Sequence, residues 1–324
     1  MSFLEVKNIV KSYGKLNVLK NISFEMGAKN RLALIGKSGS GKTTMLRIIA
    51  GLEIPDSGKI EIEGTTVTSE NNFIKPEKRN IGYVFQNHSL FPHLDVYSNI
   101  AFGIEKKNKS EKLEIIKSYL SMLGLEDKLY SYPHQLSGGE KQRIAIIRTL
   151  ASKPNLLLLD EPFSNLDKNT KEKLKIDLKQ ILIKEQIPTI MITHDADDSF
   201  DLADEVILLD EGNIVARGVP EELYKYPINE HSAKFFSESD IIDKSELNNQ
   251  FFNFFNLNSI RICIPPQCIV SDENGVEAEI INHKFVGTGY MVSLNIMGSE
   301  LKMFSVNRID NITIRVKITQ IIEL

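Results

Sequence analysis

The sequence predicts an α/β domain with a mostly parallel central sheet, followed by a small all-β domain. Over residues 1–236, short apolar runs typical of buried strands alternate with amphipathic segments typical of helices. From residue 259 onward, only short strand patterns separated by turn residues remain. We therefore predict a first domain over residues 1–236, a polar linker over 237–258 and a β domain over 259–324.

The first domain is built from strand–loop–helix units. Arg31–Ile35 is an apolar run that leads into a Gly/Ser-rich loop, and Thr43–Ala50 then has helical periodicity that Gly51 closes. Further patterns predict helices over 109–123 and 141–151, and strands over 156–159, 189–193 and 206–209.

The β domain is predicted from alternation near the end of the sequence. Ile312, Ile314, Val316 and Ile318 alternate with polar residues, and we expect all four to face one core. Turn residues between short strands are typical of a compact barrel, so we expect an OB-like fold. A Phe-rich segment, 251–255, lies in the predicted linker.

Composition argues against several classes of protein. The formal net charge of −4 gives no reason to expect a nucleic acid partner. No stretch approaches the ~20 apolar residues of a membrane-spanning helix, and Glu5 interrupts what would be the basic start of a signal peptide. We therefore expect a cytoplasmic protein. Cys263 and Cys268 are expected to be reduced thiols without a metal.

A phosphate-binding loop is predicted directly after the strand Arg31–Ile35. Residues 36–43 are a full match to G-x-x-x-x-G-K-[ST]. The glycines let backbone N–H groups approach phosphate oxygens, Lys42 neutralises the β- and γ-phosphates, and Thr43 offers a hydroxyl to Mg²⁺. The alternative is a chance Gly/Ser turn, which the strand before and the helix after disfavour. The candidate nucleotide contacts are Gly36, Lys37, Ser38, Gly39, Ser40, Gly41, Lys42, Thr43 and Thr44.

Two acidic residues follow the apolar strand 156–159. Its carboxyl end is expected at the same sheet edge as the phosphate loop, so Asp160 can hold Mg²⁺ directly or through water. Glu161 can orient or deprotonate an attacking water. Many strands end in acidic turns, so this pair is informative only together with the phosphate loop.

A second candidate anion site is the segment 136–143, Leu-Ser-Gly-Gly-Glu-Lys-Gln-Arg, at a predicted helix start. Taken alone, Ser137 is well explained as a simple helix N-cap. The position of the segment shortly before the acidic strand favours the anion site.

Together, these motifs resemble those of the ATP-binding cassette (ABC) ATPases over essentially the whole first domain. The resemblance implies a P-loop NTPase cassette with a mostly parallel central sheet, an antiparallel β subdomain and a helical subdomain. It implies that Tyr13 stacks on adenine, that Gln86 contacts Mg²⁺ or the attacking water, and that His194 hydrogen-bonds the γ-phosphate. Segment 164–167, Ser-Asn-Leu-Asp, matches the D-loop of the family.

The resemblance also implies a homodimer that sandwiches two ATP molecules head to tail, with Mg²⁺ at each site. It implies catalytic roles for Glu161, His194 and Gln86. Contacts to the ATP of the other copy go to Ser137, Gly138, Gly139 and Asp167, and contacts to Mg²⁺ go to Thr43, Gln86 and Asp160. Transmembrane permease subunits are the implied partners, an extracytoplasmic solute-binding protein acts indirectly, and no nucleic acid is implied. The chain would lie peripherally on the cytoplasmic face of the membrane.

Glu140 departs from the glutamine that is commoner at this position of the family's signature. It lies beyond the serine and glycines that face phosphate, and a carboxylate in a first helical turn is favourable. We therefore expect little functional loss from this departure.

The β domain and the segment 80–96 resemble the ATPases of type I importers for ferric iron, molybdate, sulfate, polyamines and sugars. Segment 161–167 and segment 235–238 are most similar to the ferric-iron branch, which makes ferric iron the best match. Import of molybdate, sulfate, polyamine or sugar is the alternative.

Two readings from other classes remain open. A soluble ABC ATPase that acts on DNA or ribosomes would usually carry two cassettes or a basic arm. A small-molecule phosphotransferase with a phosphate loop would not need segment 136–143 or His194.

Overall fold

The computed structural model describes residues 2–87, 89–104, 107–164, 166–236, 240–243, 254–255, 259 and 261–323. The chain divides into two compact units, Met1–Pro220 and Glu221–Leu324.

The first unit contains most of the helices and both kinds of sheet. Its strands are β1 (Leu4–Tyr13), β2 (Leu16–Met26), β3 (Arg31–Ile35), β4 (Ser57–Ile62), β5 (Thr65–Ser69), β6 (Asn72–Phe73), β7 (Ile81–Val84), β8 (Leu156–Asp160), β9 (Thr189–Thr193), β10 (Glu205–Asp210) and β11 (Asn213–Gly218). Its helices are α1 (Lys42–Ala50), α2 (Val96–Ala101), α3 (Lys109–Met122), α4 (Gly138–Ala151), α5 (Lys168–Glu185) and α6 (Ala196–Leu202), with 3₁₀ turns at Pro76–Lys78, Glu126–Lys128 and Pro133–Gln135.

A six-stranded sheet with the order β11-β10-β3-β9-β8-β7 forms the centre of this unit. Neighbouring strands are parallel except in the hairpin β10–β11. Every residue of β8 and β9 is buried, as expected for parallel strands that are covered on both faces. The mostly parallel sheet predicted from the sequence is therefore confirmed, and the carboxyl ends of β3, β7, β8 and β9 lie at one edge.

A second sheet and a helical group complete the first unit. The order β2-β1-β4-β5-β6 gives a five-stranded antiparallel sheet. Its buried residues, such as Leu4 and Ile22, share one core with Leu46 of α1 and Leu158 of β8. Helices α2 and α3 pack against α4. These are the antiparallel and helical subdomains that the family resemblance implies.

The second unit is mainly β structure. Its helices are α7 (Pro220–Lys225), which begins on the last residue of the first unit, and α8 (Glu230–Phe236). Its strands are β12 (Asp240–Asp243), β13 (Arg261–Ile264), β14 (Ile269–Phe285), β15 (Tyr290–Ile296), β16 (Ser299–Ser305), β17 (Thr313–Ile318) and β18 (Ile322–Glu323), with a 3₁₀ turn at Pro266–Cys268. The sheets β12-β13-β18 and β16-β15-β14-β17 contribute to one apolar core, in which Ile262, Leu294 and Val316 are buried.

None of the helices in the described ranges has both the length and the apolar character that crossing a membrane requires.

The prediction that four alternating residues face one core is only partly right. Val316 is buried, and Ile314 and Ile318 pack against the core from partly buried positions. Ile312 is 79% exposed, so its assignment to the core was wrong. The physical reason is that β17 begins at Thr313, so Ile312 lies just before the strand.

The predicted linker contains a strand that the sequence did not reveal. Residues Asp240–Asp243 form β12, which pairs antiparallel with β13, and Ile242 is buried in the second core. Two apolar residues between aspartates are too few to give a strand pattern. Residues 237–239, 244–253 and 256–258 lie outside the described residues, including most of the Phe-rich segment. The domain limits 1–236 and 259–324 remain a prediction.

Candidate active site

The loop between β3 and α1 has a backbone that suits a phosphate cradle. Gly36, Gly39 and Gly41 have positive φ angles of 145°, 82° and 103°. A Cβ atom on Gly36 would lie 2.1 Å from the carbonyl oxygen of Leu209. One on Gly41 would lie 2.7 Å from the carbonyl oxygen of Val18. Side chains are therefore excluded at these two positions, and the loop stays open enough for backbone N–H groups to face an anion.

Lys42 begins α1 with its ammonium group folded back onto this loop. The Nζ atom donates to the carbonyl oxygens of Gly36 at 2.8 Å and Lys37 at 2.9 Å. The side chain is buried, and burial lowers the pKa of Lys42 against the opposing influence of Glu161 and Asp160. A buried cation that is bonded to neutral carbonyls favours an added negative charge, such as a phosphate group.

Asp160, the last residue of β8, is hydrogen-bonded through both carboxylate oxygens. Thr43 donates to Oδ1 at 3.3 Å, and the Tyr83 hydroxyl donates to Oδ2 at 2.7 Å. Burial and the charge of Asp160 both raise the pKa of Tyr83, so the phenol remains a donor. The Thr43 hydroxyl and the Asp160 carboxylate place hard oxygen atoms side by side, which is the donor type that Mg²⁺ prefers. The residues present therefore fit a bound Mg²⁺.

Glu161 follows in a left-handed backbone conformation, with a φ angle of 47°. For a residue other than glycine this conformation costs about 1–3 kcal/mol. Ser164 stabilises the turn, because its N–H and its hydroxyl both donate to the carbonyl oxygen of Glu161, at 3.2 and 2.9 Å. Backbone strain of this kind concentrates at functional positions.

Residues from the ends of three adjacent strands meet at the side chain of Glu161. Gln86, which follows β7, donates from Nε2 to Oε2 of Glu161 at 3.1 Å. Nδ1 of His194, which follows β9, lies 3.7 Å from the same oxygen. The His194 side chain is 60% exposed, so it is accessible to a ligand. The structure thus brings together the three residues assigned to catalysis from the sequence, and their roles remain a prediction.

Tyr13 ends β1 in the hairpin β1–β2. Its side chain is 47% exposed, and the ammonium group of Lys11 lies 5.2 Å from the centre of the ring. Lys11 is fixed there by Glu53 at 2.8 Å and by the carbonyl oxygen of Ile54 at 2.7 Å. A cation therefore lies over the ring, whose exposed surface suits stacking of a planar group such as adenine.

The turn before α4 is a fully formed helix cap. The Ser137 hydroxyl accepts from the N–H of Glu140 at 3.3 Å, and the Glu140 carboxylate accepts from the N–H of Ser137 at 2.8 Å. The bond from the N–H of Ser137 also lowers the pKa of Glu140. This capping box uses only part of the N–H groups of the first turn, so a cap and an anion site are compatible here.

Gly138 and Gly139 form the start of α4, and Gly139 lies against the first turn of α5. A Cβ atom on Gly139 would lie 2.3 Å from Cγ2 of Thr170. Asp167 caps α5 by accepting from the N–H of Thr170 at 3.1 Å. We call Ser137, Gly138, Gly139 and Asp167 the signature surface. Within the described ranges, no hydrogen bond or ion pair joins it to the phosphate loop of the same chain.

Asn165 of the predicted D-loop lies outside the described residues. The D-loop is therefore described through Ser164, which bonds Glu161, and through Asp167, which caps α5.

The sequence did not predict two residues that support the site. Tyr83 bonds Asp160, and Lys11 lies over the ring of Tyr13. Tyr83 pairs in register with Leu158 of β8, and only this pairing brings its hydroxyl to Asp160. The available signal was weak: a tyrosine in a short, partly buried strand needs a partner for its hydroxyl.

Comparison with known proteins agrees with these features. A family model described as "ABC transporter" matches residues 19–164. The chain is 40% identical over 243 residues to "Fe(3+) ions import ATP-binding protein FbpC" of Serratia marcescens, a match over 75% of this chain and 70% of that protein. It is 36% identical over 311 residues to "Spermidine/putrescine import ATP-binding protein PotA" of Clostridioides difficile, over 91% of this chain and 88% of that protein.

A solved structure with a similar fold is a dimeric ATP-binding cassette in a post-hydrolysis state, bound to ADP and Pi. The TM-score is 0.59 and the sequences are 30% identical, over 67% of this chain and 98% of that chain.

Proposed function

Because this chain belongs to the ATP-binding cassette family of transporter ATPases, as an ATP-hydrolysing import subunit, we propose that two copies close on two ATP molecules and reopen after hydrolysis. This cycle drives membrane permease subunits, to which a solute-binding protein delivers the solute from outside. The chain is bound peripherally at the cytoplasmic face. The observation that carries the proposal is the meeting of Gln86, Glu161 and His194 at the sheet edge where the phosphate loop lies.

The nucleotide is held through its phosphates and its base. The Lys42 ammonium exchanges the carbonyl oxygens of Gly36 and Lys37 for oxygens of the β- and γ-phosphates, which gives the buried cation its counter-charge. Backbone N–H groups of residues 36–44 bond the remaining phosphate oxygens, and the N-terminal end of α1 adds its positive dipole. Tyr13 stacks on adenine.

Thr43 and Asp160 would hold Mg²⁺, and Gln86 would add a ligand from the neighbouring strand end. The 3.3 Å contact between the Thr43 hydroxyl and Asp160 supports this assignment, because two oxygen donors already lie side by side. When bound, Mg²⁺ neutralises charge on the phosphate oxygens.

Hydrolysis transfers the γ-phosphoryl group to water and releases ADP and inorganic phosphate. Glu161 accepts a proton from the attacking water, which makes the water a better nucleophile. His194 donates a hydrogen bond to a γ-phosphate oxygen, and Gln86 keeps the Glu161 carboxylate in place through the 3.1 Å bond. The strained turn at Glu161 fixes the direction in which its side chain leaves the strand.

Each ATP site is completed by the signature surface of the other copy. The absence of a described bond between this surface and the phosphate loop of its own chain supports a site shared between chains. The similar cassette structure is itself dimeric. ATP then favours the closed dimer because it contacts both copies only in that state.

Ferric iron is the proposed solute, supported by segment 161–167 and by the name of the Serratia marcescens relative. A polyamine is the second candidate, because the Clostridioides difficile relative matches over 91% of the chain and so includes most of the second unit. Molybdate, sulfate and sugar remain alternatives. Stimulation of ATP hydrolysis in the reconstituted permease complex by iron-loaded or by spermidine-loaded binding protein separates the first two.

The site is tested by Glu161→Gln. This change keeps the shape of the side chain but removes its basicity, so MgATP binding should persist while turnover falls by about 10²–10⁴-fold. Binding is measured with a fluorescent ATP analogue, and turnover by phosphate release from the complete transporter.

The matched control is Glu114→Gln on the exposed face of α3, which should turn over at the wild-type rate. Near-normal turnover of Glu161→Gln would refute the assignment of the base.

A further inference from the structure

Four charged side chains form a charge cluster between two helices: Lys171 and Lys175 of α5, and Asp195 and Asp198 at the start of α6. Nζ of Lys171 lies 2.5 Å from Asp195 and 2.8 Å from Asp198. Nζ of Lys175 lies 3.1 Å from the same oxygen of Asp198, and these two side chains are only 4% and 3% exposed. The proposed mechanism uses none of these four groups.

The cluster fixes the chain on both sides of His194. The Thr193 hydroxyl, directly before His194, donates to Oδ2 of Asp198 at 2.7 Å. The N–H of Asp195, directly after it, donates to the same hydroxyl oxygen at 3.0 Å. Asp195 also caps α6. The position of the His194 backbone therefore depends on where Asp198 is held.

Lys171 connects the cluster to Asp167 of the signature surface through the first turn of α5. The N–H of Lys171 donates to the carbonyl oxygen of Asp167 at 2.9 Å, in the first turn of α5. Four residues of helix rise by about 6 Å, so Asp167 and the Lys171 side chain belong to one short rigid segment. A displacement of Asp167 is thereby passed to Lys171 with little loss.

Charge keeps the two helices together. Burial alone would lower the pKa of Lys171, but Asp195 and Asp198 raise it above its ordinary value, so it stays protonated. At the rim, Glu172 and Asp201 lie 3.5 and 3.4 Å from Lys175. Pulling α5 away from α6 would leave buried charges without partners, which is far more costly than moving the helices together.

We propose that Lys171 and Asp198 are positioning residues that couple the partner-facing Asp167 to His194. When the second copy closes on Asp167, the rigid segment of α5 moves, and the charge cluster carries the His194 turn with it. The γ-phosphate contact thereby forms only in the closed dimer. This inference rests on the proposed function, because it takes the roles of Asp167 and His194 from it.

The test is a comparison of Lys171→Met in two backgrounds, the full chain and the full chain with His194→Ala. In the first background, kcat for ATP should fall by about 10- to 100-fold with KM within about twofold, because small misplacements of a reacting group have effects of this size. In the His194→Ala background, the same change should alter the residual single-turnover rate by less than about twofold, because the coupled group is already missing.

Three further variants make the result decisive. Lys173→Met, on the exposed side of α5, should match the parent chain. Lys171→Arg should keep kcat near the parent value, since arginine retains a positive charge that can bond both carboxylates. If Lys171→Met does not fold, Asp195→Asn takes its place, because asparagine keeps the helix cap and removes the ion pair.

Equal losses from Lys171→Met in both backgrounds would mean that the cluster only stabilises the fold, and would overturn the inference alone. A wild-type rate for His194→Ala by itself would overturn the proposed role of His194, and the inference with it.

Discussion

The hydroxyl of Tyr83 donates a 2.7 Å hydrogen bond to one oxygen of Asp160, while Thr43 donates to the other oxygen at 3.3 Å. The carboxylate is thus oriented from two elements, β7 and α1. An outer partner that fixes a metal-binding carboxylate usually matters almost as much as the carboxylate itself.

Replacement of Tyr83 by phenylalanine should therefore weaken Mg²⁺ binding. The ring still fills its half-buried place, and the hydrogen bond to Asp160 is lost. We expect the Mg²⁺ concentration at half-saturation of MgATP binding to rise by about tenfold, measured by titrating Mg²⁺ against a fluorescent ATP analogue. Binding of metal-free ATP should not change. Tyr130→Phe, at an exposed position, is the control, and an unchanged Mg²⁺ titration for Tyr83→Phe would contradict the expected role.

The proposed composite site predicts cross-links between chains. Ser137→Cys on one copy and Ser38→Cys on another should form an ATP-dependent disulfide, because the signature surface of one copy then faces the exposed Ser38 of the other. Cys263 and Cys268 are first replaced by serine. The measurement is the fraction of covalent dimer on a non-reducing gel, with and without ATP. A disulfide found only within single chains would exclude the head-to-tail arrangement.

Arg79 stabilises the end of the helix that follows the phosphate loop. Its buried guanidinium donates to the carbonyl oxygens of Ile48 and Ile49 at 3.2 and 2.8 Å, and to the Thr68 hydroxyl at 2.9 Å. Burial lowers the pKa of Arg79 to about 10, so the group is still charged at neutral pH. A cation at this end of α1 complements the negative pole of the helix.

Arg79→Met should consequently lower the free energy of unfolding of the chain by about 3 kcal/mol, because hydrogen bonds of a charged donor are lost and carbonyl groups stay buried without them. Urea unfolding followed by circular dichroism measures the change. Arg308→Met, at an exposed side chain, should stay within about 0.5 kcal/mol of the parent. A similar small value for Arg79→Met would show that water replaces the lost donor.

Glu140 gives a prediction about pH. Its pKa is lowered in the folded chain, mainly by the N–H of Ser137. The charged carboxylate therefore stabilises the fold fully at pH values above its ordinary pKa of 4.5. This contribution is lost as pH falls through the lower pKa of the folded chain. Glu140→Gln keeps an oxygen that accepts from the same N–H but removes the charge. We expect unchanged ATPase activity and a loss of only about 0.3 kcal/mol at pH 7, since the carboxylate is only partly buried and solvent still screens its charge.

The difference between Glu140→Gln and the parent should shrink as pH drops below 4.5 and then vanish, as measured by urea unfolding at a series of pH values. Glu114→Gln is the control without a capping bond. A difference that grows in acid would show that the carboxylate is not the stabilising form.

Sequence patterns predicted the parts of the site that depend on where strands end. Asp160, Glu161 and His194 follow apolar runs, and parallel strands bring their carboxyl ends together whatever the rest of the chain does. Lys171 and Asp198 were not foreseen, because their contact depends on how α5 packs against α6. How two helices pack against each other is not visible as a local pattern in the sequence.

The error at Ile312 has a related cause. Alternation of apolar and polar residues indicates which way side chains point along a strand, but not at which residue the strand ends. Ile312 fits the alternation and is nevertheless 79% exposed, because pairing in β17 begins one residue later.

At Glu161, the residue type that best suits the left-handed backbone differs from the residue type that the proposed chemistry needs. Selection for foldability alone would favour glycine at this position, since glycine adopts a φ angle of 47° without strain. Glycine has no carboxylate, so a chain improved only for thermal robustness would lose at this residue the base that we propose for hydrolysis. Engineering that screens for heat tolerance should therefore hold residue 161 fixed, because a change to glycine there would gain thermal stability and lose activity.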